Sequence, residues 1–516
     1  MNYAELFRLT LPETALEVAA LVVLLVDLGL LRKSALHVRA AVAAMLGVIG
    51  CGAAILALPI QMQGGLGYAG SDDLLLAVGG STAVAQVGIL VLTALTLFLL
   101  IDSNFTRHVG EFVAVVLMAA TGGLVIAAAQ DLLVIFIGLE LLSLGLYILT
   151  AFAKRSGKSA EAAIKYYLFG GMSAAFLLFG FSYLYGIAGS TNLHRIMLAM
   201  YGPNAFHAAP LVYVAAVMIA AGLGFKVAAA PFHLWAPDTY EGAPSSGAAF
   251  IASVSKVASF ALLISIGTAA WHVFDGSHLI AHAEVQVRLT PAPPVYLGFR
   301  WVWTLILVIL AAASMVLGNL AALAQSSVRR LLAYSAIAHA GYILLGLAFL
   351  SYSPRSAQAI LYYILTYGLT TVGAFGAVGV VERATGSDRM EAFLGLHKRN
   401  PMLAAVLLVL FLSLAGIPPL VGFWAKFNLF AAVLGVYPTG AGLGLVILAV
   451  AMSAVSLYYY LQVLKRVYVM EAVDEAPIAA HPATLGVLIV VAAAVVVLGC
   501  FPALLQEWIA GFYPGM

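Results

Sequence analysis

The chain has 516 residues, 64% of them hydrophobic and only 9% charged, whereas a soluble domain carries about a quarter charged; this deficit cannot cover a water-facing surface, so most of the outside faces lipid. The formal net charge of +2, with no basic run, gives no sign of nucleic-acid binding. The two cysteines, Cys51 and Cys500, lie in separate apolar runs with no CxxC, which argues against a thiol redox pair, a metal site and a disulfide framework.

In chain order, the opening MNYAELFRLTLPETALEVAALVV carries Glu5, Glu13 and Glu17 and lacks a basic n-region, so it reads as a first span and not as a cleaved signal. A span needs roughly 20 apolar residues and must be helical in hydrocarbon. Such runs predict helices at 11–31, 39–60, 83–102, 110–129, 132–152, 162–187, 209–230, 245–270, 302–323, 331–350, 357–381, 401–424, 441–464 and 484–503. Proline interrupts the segments 209–236 and 412–435, which are expected to be broken helices. Alternate connections hold Arg32, Lys33, Arg39, Arg107, Lys154, Arg155, Lys158, Arg329, Arg330, Arg383, Arg389, Lys398, Arg399, Lys465 and Arg466. The other side has only Arg8, Arg195, Arg288, Arg300 and Arg355. By the positive-inside rule this bias supports about fourteen spans, with both termini on the periplasmic side of a bacterial inner membrane. The chain is expected to divide into N-terminal helices 1–3 with their connection (1–127), a core (128–450) and C-terminal helices (451–516).

The core contains an internal repeat. EAAIKYYLFGG at 161–171 matches AQAILYYILTY at 357–367, and Phe179-Gly180 matches Phe375-Gly376 at the same offset of 196. One helix earlier Glu140 falls opposite His339, and one helix later Lys226 falls opposite Lys426. Both lysine helices are interrupted close by, at Pro231 and at Pro418-Pro419. Spans 4–8 and 9–13 would form the two copies. Five helices per copy invert the second, so the expected fold is all-α, with two inverted five-helix repeats and one broken helix in each. Discontinuous helices carrying an ion site near the midplane are the build of many secondary transporters.

Four basic residues fall outside the loop tally: Lys165, Lys226, Lys256 and Lys426, each inside an apolar span. A charge at mid-membrane costs at least ~2.5–3.5 kcal/mol, so such residues serve function or a structural pairing. Glu140 stands alone in LVIFIGLELLSLGLYIL (133–149), and Lys256 lies mid-span in FIASVSKVASFALLI. Burial disfavours an ammonium and a nearby carboxylate favours it, so a movable Glu–Lys pair is a proton valve that arginine could not be. His233 and His339 titrate near neutrality and suit proton relay, while Ser255 and Tyr334 could hold connecting waters. The expected relay is Glu140, Lys226, Lys256, His339 and Lys426, with Lys165 and His233 as further candidates. Lys165 sits near a span end, where it could snorkel. The alternative for all of them is a set of ion pairs holding tilted helices together. Glu17 and Asp27 lie outside the repeat and suggest packing or subunit contact. GLGYAG at 65–70 fits a dinucleotide fingerprint only literally, with no strand before it. No Walker A motif, HExxH or cysteine cluster for iron–sulfur ligation is present, so no redox centre is expected in this chain.

The glutamate of the fifth helix, GFK…APFHLWAPDTYEGAP, RRLLAYSAIAHAGY and SLAGIPPLVGFWAKF together resemble the proton-pumping antiporter-like subunits of complex I (NADH:quinone oxidoreductase). The resemblance covers about 128–450. It implies that Glu140, Lys226, Lys256, His339 and Lys426 belong to a hydrated axis along the membrane. It further implies that FMN, iron–sulfur clusters and quinone belong to partner subunits, membrane and hydrophilic, with no cofactor or metal here. Within the family, the lysine at 426 differs from the glutamate of subunit M. No long amphipathic helix follows the last span as in subunit L, and Lys165 is typical of subunit N. Three readings follow: a proton-translocating subunit of a redox-driven pump, an Mrp-type cation/proton antiporter built from the same helices, or an inert scaffold. The stretch 271–300, with Pro291, Pro293 and Pro294, departs from the pattern and its role is unread.

Overall fold

The structure is a computed structural model that describes residues 3–62, 75–103, 105–200, 209–275, 294–350, 355–472 and 476–512. GLGYAG at 65–70, Arg288 and most of the 271–300 stretch lie outside the described residues. Among those described, the chain is helical throughout, with isolated backbone bridges but no strand.

The helices run α1 (Tyr3–Leu9), α2 (Leu11–Leu25, continued by a π-turn over Val26–Leu30), α3 (Leu36–Met62), α4 (Gly80–Leu100), α5 (Val109–Ala128), α6 (Leu132–Thr150) and α7 (Gly157–Ala188). They continue with α8 (Leu193–Ala199), α9 (Ala209–Lys226), α10 (Trp235–Gly242), α11 (Ser245–Asp275), α12 (Pro294–Leu323), α13 (Val328–Ala348) and α14 (Arg355–Thr385). The last are α15 (Leu396–Arg399), α16 (Pro401–Ala415), α17 (Val421–Val436), α18 (Ala441–Tyr468), α19 (Pro482–Cys500) and α20 (Ala503–Ala510). Twelve of these are long and apolar enough to cross a membrane, and α1 with α2, bent by 75° at their junction, would make a thirteenth. The expected span at 401–424 is instead divided. Gly416 caps α16 in the left-handed region, and α17 starts only at Val421, beyond Pro418-Pro419. The expected span at 209–230 ends at Lys226, five residues before Pro231.

Side-chain caps explain where several helices begin. The side chains of Asp131, Ser156, Ser327 and Asn400 accept hydrogen bonds from backbone amides in the first turns of α6, α7, α13 and α16. Two helix hairpins, α5–α6 and α12–α13, close through glycines. A Cβ on Gly122 would stand 2.6 Å from the Leu142 amide nitrogen, and one on Gly318 would stand 2.7 Å from that of Ala338. A Cβ on Gly145 would likewise stand 2.7 Å from Ala119 Cβ, and one on Gly341 2.7 Å from the Met315 amide nitrogen. Each residue of the second hairpin lies 196 positions beyond its counterpart in the first. Backbone bridges recur in the same places, Asp131 with Asn192 and Ser327 with Arg389.

Helices α11 and α13 form the centre: each has 94% of its most apolar window buried, against 22% for α18 and 28% for α19. Helices that are apolar all round and buried mark the interior; those with bare apolar faces meet lipid or other subunits.

Candidate functional site

The two helix breaks organise the site. A helix end leaves up to four carbonyls without an intrahelical donor and carries a partial negative charge. In α9 that end falls at Lys226, and in α16 at Ala415, both deep within the bundle.

At the first break, Lys226 Nζ lies 4.0 Å from Glu140 Oε1 and donates to Ser143 Oγ at 2.5 Å. Ser143 sits three residues after Glu140 on α6, so both face the same side of that helix, and its hydroxyl donates to the Leu139 carbonyl. Lys256, on the central helix α11, donates to the Val227 carbonyl, one residue beyond Lys226. Three of the expected relay residues therefore meet at one break. His233 lies in the turns between α9 and α10, half-buried, and its Nδ1 has no hydrogen-bond partner among the described residues.

At the second break, Lys426 Nζ donates to the carbonyls of Leu414 (3.1 Å) and Ala415 (2.9 Å) and to Ser453 Oγ (2.8 Å). His339 hydrogen-bonds through Nδ1 with the Tyr363 hydroxyl at 2.8 Å. His339, Tyr363, Thr366, Tyr367, Leu414 and Ala425 share the lining of a cavity of about 10 Å³, room for roughly a single water. Leu414 thus belongs to both the histidine cavity and the lysine's acceptors. Ser255 donates to the Ile251 carbonyl of its own helix.

The sequence offset that pairs Lys226 with Lys426 is not the register of the breaks themselves. Pro231 and Pro419 are 188 positions apart, as are Val227 and Ala415. Lys226 ends the helix before its break, whereas Lys426 sits inside the helix after its break and reaches back with its side chain. One of the carbonyls that accept from Lys426, that of Ala415, is the counterpart of the Val227 carbonyl that accepts from Lys256.

Lys165 does not join either group. It is part-exposed and pairs with Glu161 and Asp238, each at 2.7 Å. Asp238 also binds Arg330 at 2.7 Å, Arg330 binds Glu241 at 2.9 Å, and Glu241 binds Lys158 at 2.8 Å. This belt ties the short helix α10 to α7 and α13. Beside it Arg329 pairs with Glu382 at 3.1 Å and Arg383 with Asp102 at 2.9 Å. The belt was missed in the sequence: its acids and bases are visible there, but their pairings span from 73 to 92 positions. Ser143 had a signal, its i, i+3 spacing from Glu140; Ser453 had none. Asp27 is buried and accepts from both Nε and Nη2 of Arg39, at 2.7 and 2.6 Å. Glu17 is exposed, while Glu13, one turn earlier, is buried beside Gln86. Among the described residues no cluster of three or more His, Cys, Asp or Glu could hold a metal ion.

The chain matches the family described as NADH:quinone oxidoreductase/Mrp antiporter, TM, over residues 129–281 and 286–456. It is 48% identical to the NADH-quinone oxidoreductase subunit N 2 of Acidobacterium capsulatum, with 99% of each chain covered. Among solved structures, a chain of respiratory complex I from Thermus thermophilus with bound aureothin is similar at 33% identity and a TM-score of 0.75, covering 96% of this chain and 98% of that one. A chain of the Mrp complex from Dietzia sp. shares the fold at 20% identity and a TM-score of 0.76, with 97% and 96% covered.

Proposed function

The chain belongs to the NADH:quinone oxidoreductase/Mrp antiporter transmembrane family, and from that premise we propose how its residues carry out the work. It is a proton-translocating membrane subunit of an NADH:quinone oxidoreductase, a subunit N of complex I, and it works beside the other subunits of that translocase. NADH oxidation and quinone reduction take place in partner subunits, which by our reading hold the FMN, the iron–sulfur clusters and the quinone. The chain is a multi-span membrane protein of a bacterial inner membrane; we place both termini on the periplasmic side and count α16 with α17 as one broken span, giving fourteen.

The observation that carries the mechanism is the meeting of Glu140, Lys226 and Lys256 at a helix break inside the bundle. With Glu140 at 4.0 Å, attraction at an effective dielectric near 20 is roughly 4 kcal/mol. That is comparable to the ~2.5–3.5 kcal/mol cost of a charged lysine at mid-membrane. A small displacement of either group therefore decides whether Lys226 keeps its proton. A released proton passes to Lys256 around the Val227 carbonyl, then to His339 and Lys426 at the second break, where the small cavity beside His339 has room for a water. Lys165 and His233 stand at the margins of this route: Lys165 anchors the belt beside α10, and His233 lines the first break.

The inverted repeat belongs to the same reading. It is supported by the glycine contacts and backbone bridges recurring at offsets of 196 and 197; in this reading the repeat occupies a core of 128–450 flanked by 1–127 and 451–516.

The test is direct. Purification through a tag on this chain should bring flavin and iron–sulfur absorbance with it, and reconstituted vesicles should acidify on NADH addition. Lys226→Ala should assemble and lose most of that gradient. A chain that purifies without redox absorbance, or a Lys226→Ala complex pumping at the wild-type rate, overturns the reading.

A further inference from the structure

Lys226 has a carboxylate partner in Glu140. Among the described residues no Asp or Glu pairs with Lys426, yet it is buried within the bundle. Its three acceptors, Leu414 O, Ala415 O and Ser453 Oγ at 2.8–3.1 Å, match the three donors of an ammonium. A neutral amine has only two N–H groups and would turn its lone pair toward one of these oxygens. Two of the acceptors are carbonyls at the C-terminal end of α16, where the amides of Gly416 and Ile417 bond back to Leu412 and Ser413 and leave Leu414 and Ala415 free.

The third side of the cradle is aromatic. Lys426 Nζ lies 5.4 Å from the ring centroid of Tyr342, within the range of cation–π attraction. That ring is held in place: Asn319 Nδ2 donates to the Tyr342 hydroxyl at 3.2 Å and to the Met315 carbonyl at 2.7 Å, and Asn319 Oδ1 accepts from the Tyr459 hydroxyl at 3.1 Å. All three are buried. Gly416 makes the room, since a Cβ there would stand 3.0 Å from Lys426 Cδ, and its φ of +88° is one that side chains rarely adopt.

We infer that Ser453 and Tyr342 are positioning residues that hold Lys426 as an ammonium without a carboxylate, doing in the second half what Glu140 does for Lys226 in the first. This rests on Lys426 being a relay residue. The consequence is a difference in kind between the two halves. The first lysine is switched by moving a charge, whereas the second is tuned by neutral groups that stay with it. Whatever drives proton release from Lys426 must therefore come from an approaching charge, such as the next proton at His339.

The experiment is a double-mutant cycle in the assembled complex, reading NADH-driven proton uptake in vesicles beside native-gel assembly. A hydrogen bond to a charged group is worth a factor of about ten or more, so Ser453→Ala should lower uptake by about tenfold or more. Ser453→Thr, which keeps the hydroxyl, should retain it. Tyr342→Phe keeps the ring face and should retain most uptake; Tyr342→Leu should lose it. Placed in a Lys426→Ala background, Ser453→Ala should add no further loss. An additive loss there would show a merely structural serine and overturn the inference, as would wild-type uptake in both Ser453→Ala and Tyr342→Leu. Wild-type uptake in Lys426→Ala alone would instead defeat the relay reading on which the inference rests.

Discussion

Glu140 is one of the few acids placed in an otherwise apolar helix, and among the described residues it pairs with Lys226 at 4.0 Å. Glu140→Gln keeps the shape and removes the charge. It should assemble normally and cripple proton uptake, because Lys226 then lacks the attraction that offsets its burial. A normal NADH-driven gradient in Glu140→Gln vesicles would refute the valve. Lys226→Arg separates relay from scaffold at the same position. Guanidinium holds its proton at any accessible pH, so a relay fails with arginine nearly as badly as with alanine. A scaffold role predicts arginine near wild type and alanine poor. These residues were legible in the sequence because a charge in hydrocarbon is conspicuous. Their neutral partners were less so, Ser143 being marked only by its i, i+3 spacing from Glu140. Ser143, Tyr363 and Ser453 are ordinary residues of apolar helices until folding sets them against Lys226, His339 and Lys426.

Helix breaks were visible as prolines, but what a break does depends on its surroundings. In water the carbonyls freed at Val227, Leu414 and Ala415 would be solvated; inside the bundle they draw lysine side chains from elsewhere. The short helix α10 then needs an anchor of its own, and the belt of Lys165, Asp238, Arg330, Glu241 and Lys158 supplies it. Arg330 is the shared member, bound to both acids of α10. Arg330→Ala should therefore loosen residues 235–242 by about 1–3 kcal/mol, the cost of leaving part-buried polar groups short of a partner. Hydrogen–deuterium exchange of the assembled complex should show faster exchange in that helix than in α13. Unchanged exchange at 235–242 would mean that Lys158 and Lys165 suffice as anchors.

At the scale of the molecule, our proposal for the orientation of the chain rests on the asymmetry of loop charge, fifteen basic residues against five, a split that a different number of crossings would scramble. In right-side-out membranes, Glu5→Cys and Glu507→Cys should react with a membrane-impermeant maleimide, while Lys398→Cys should react only after permeabilisation. Labelling of Lys398→Cys from outside would reverse the orientation. Labelling of Glu5→Cys and Glu507→Cys from opposite sides would mean an odd number of crossings, and α16 with α17 would then not form one span.

Composition and run length by themselves determined that this is a helical membrane protein, roughly where each helix lies, and which ionisable residues are too costly to be incidental. The recurrence of short motifs also pointed to two related halves. Only the tertiary structure decided how the ionisable residues group. Glu140, Lys226 and Lys256 come from three helices and meet because α9 ends between them; Lys426 folds back onto α16; and Lys165, equally conspicuous in the sequence, turns away to a surface belt. The reason is physical. The cost of burying a charge depends on the residue and its depth and can be read along the chain, whereas the groups that repay it come from helices as much as 86 positions away at Lys226 and exist as partners only after packing.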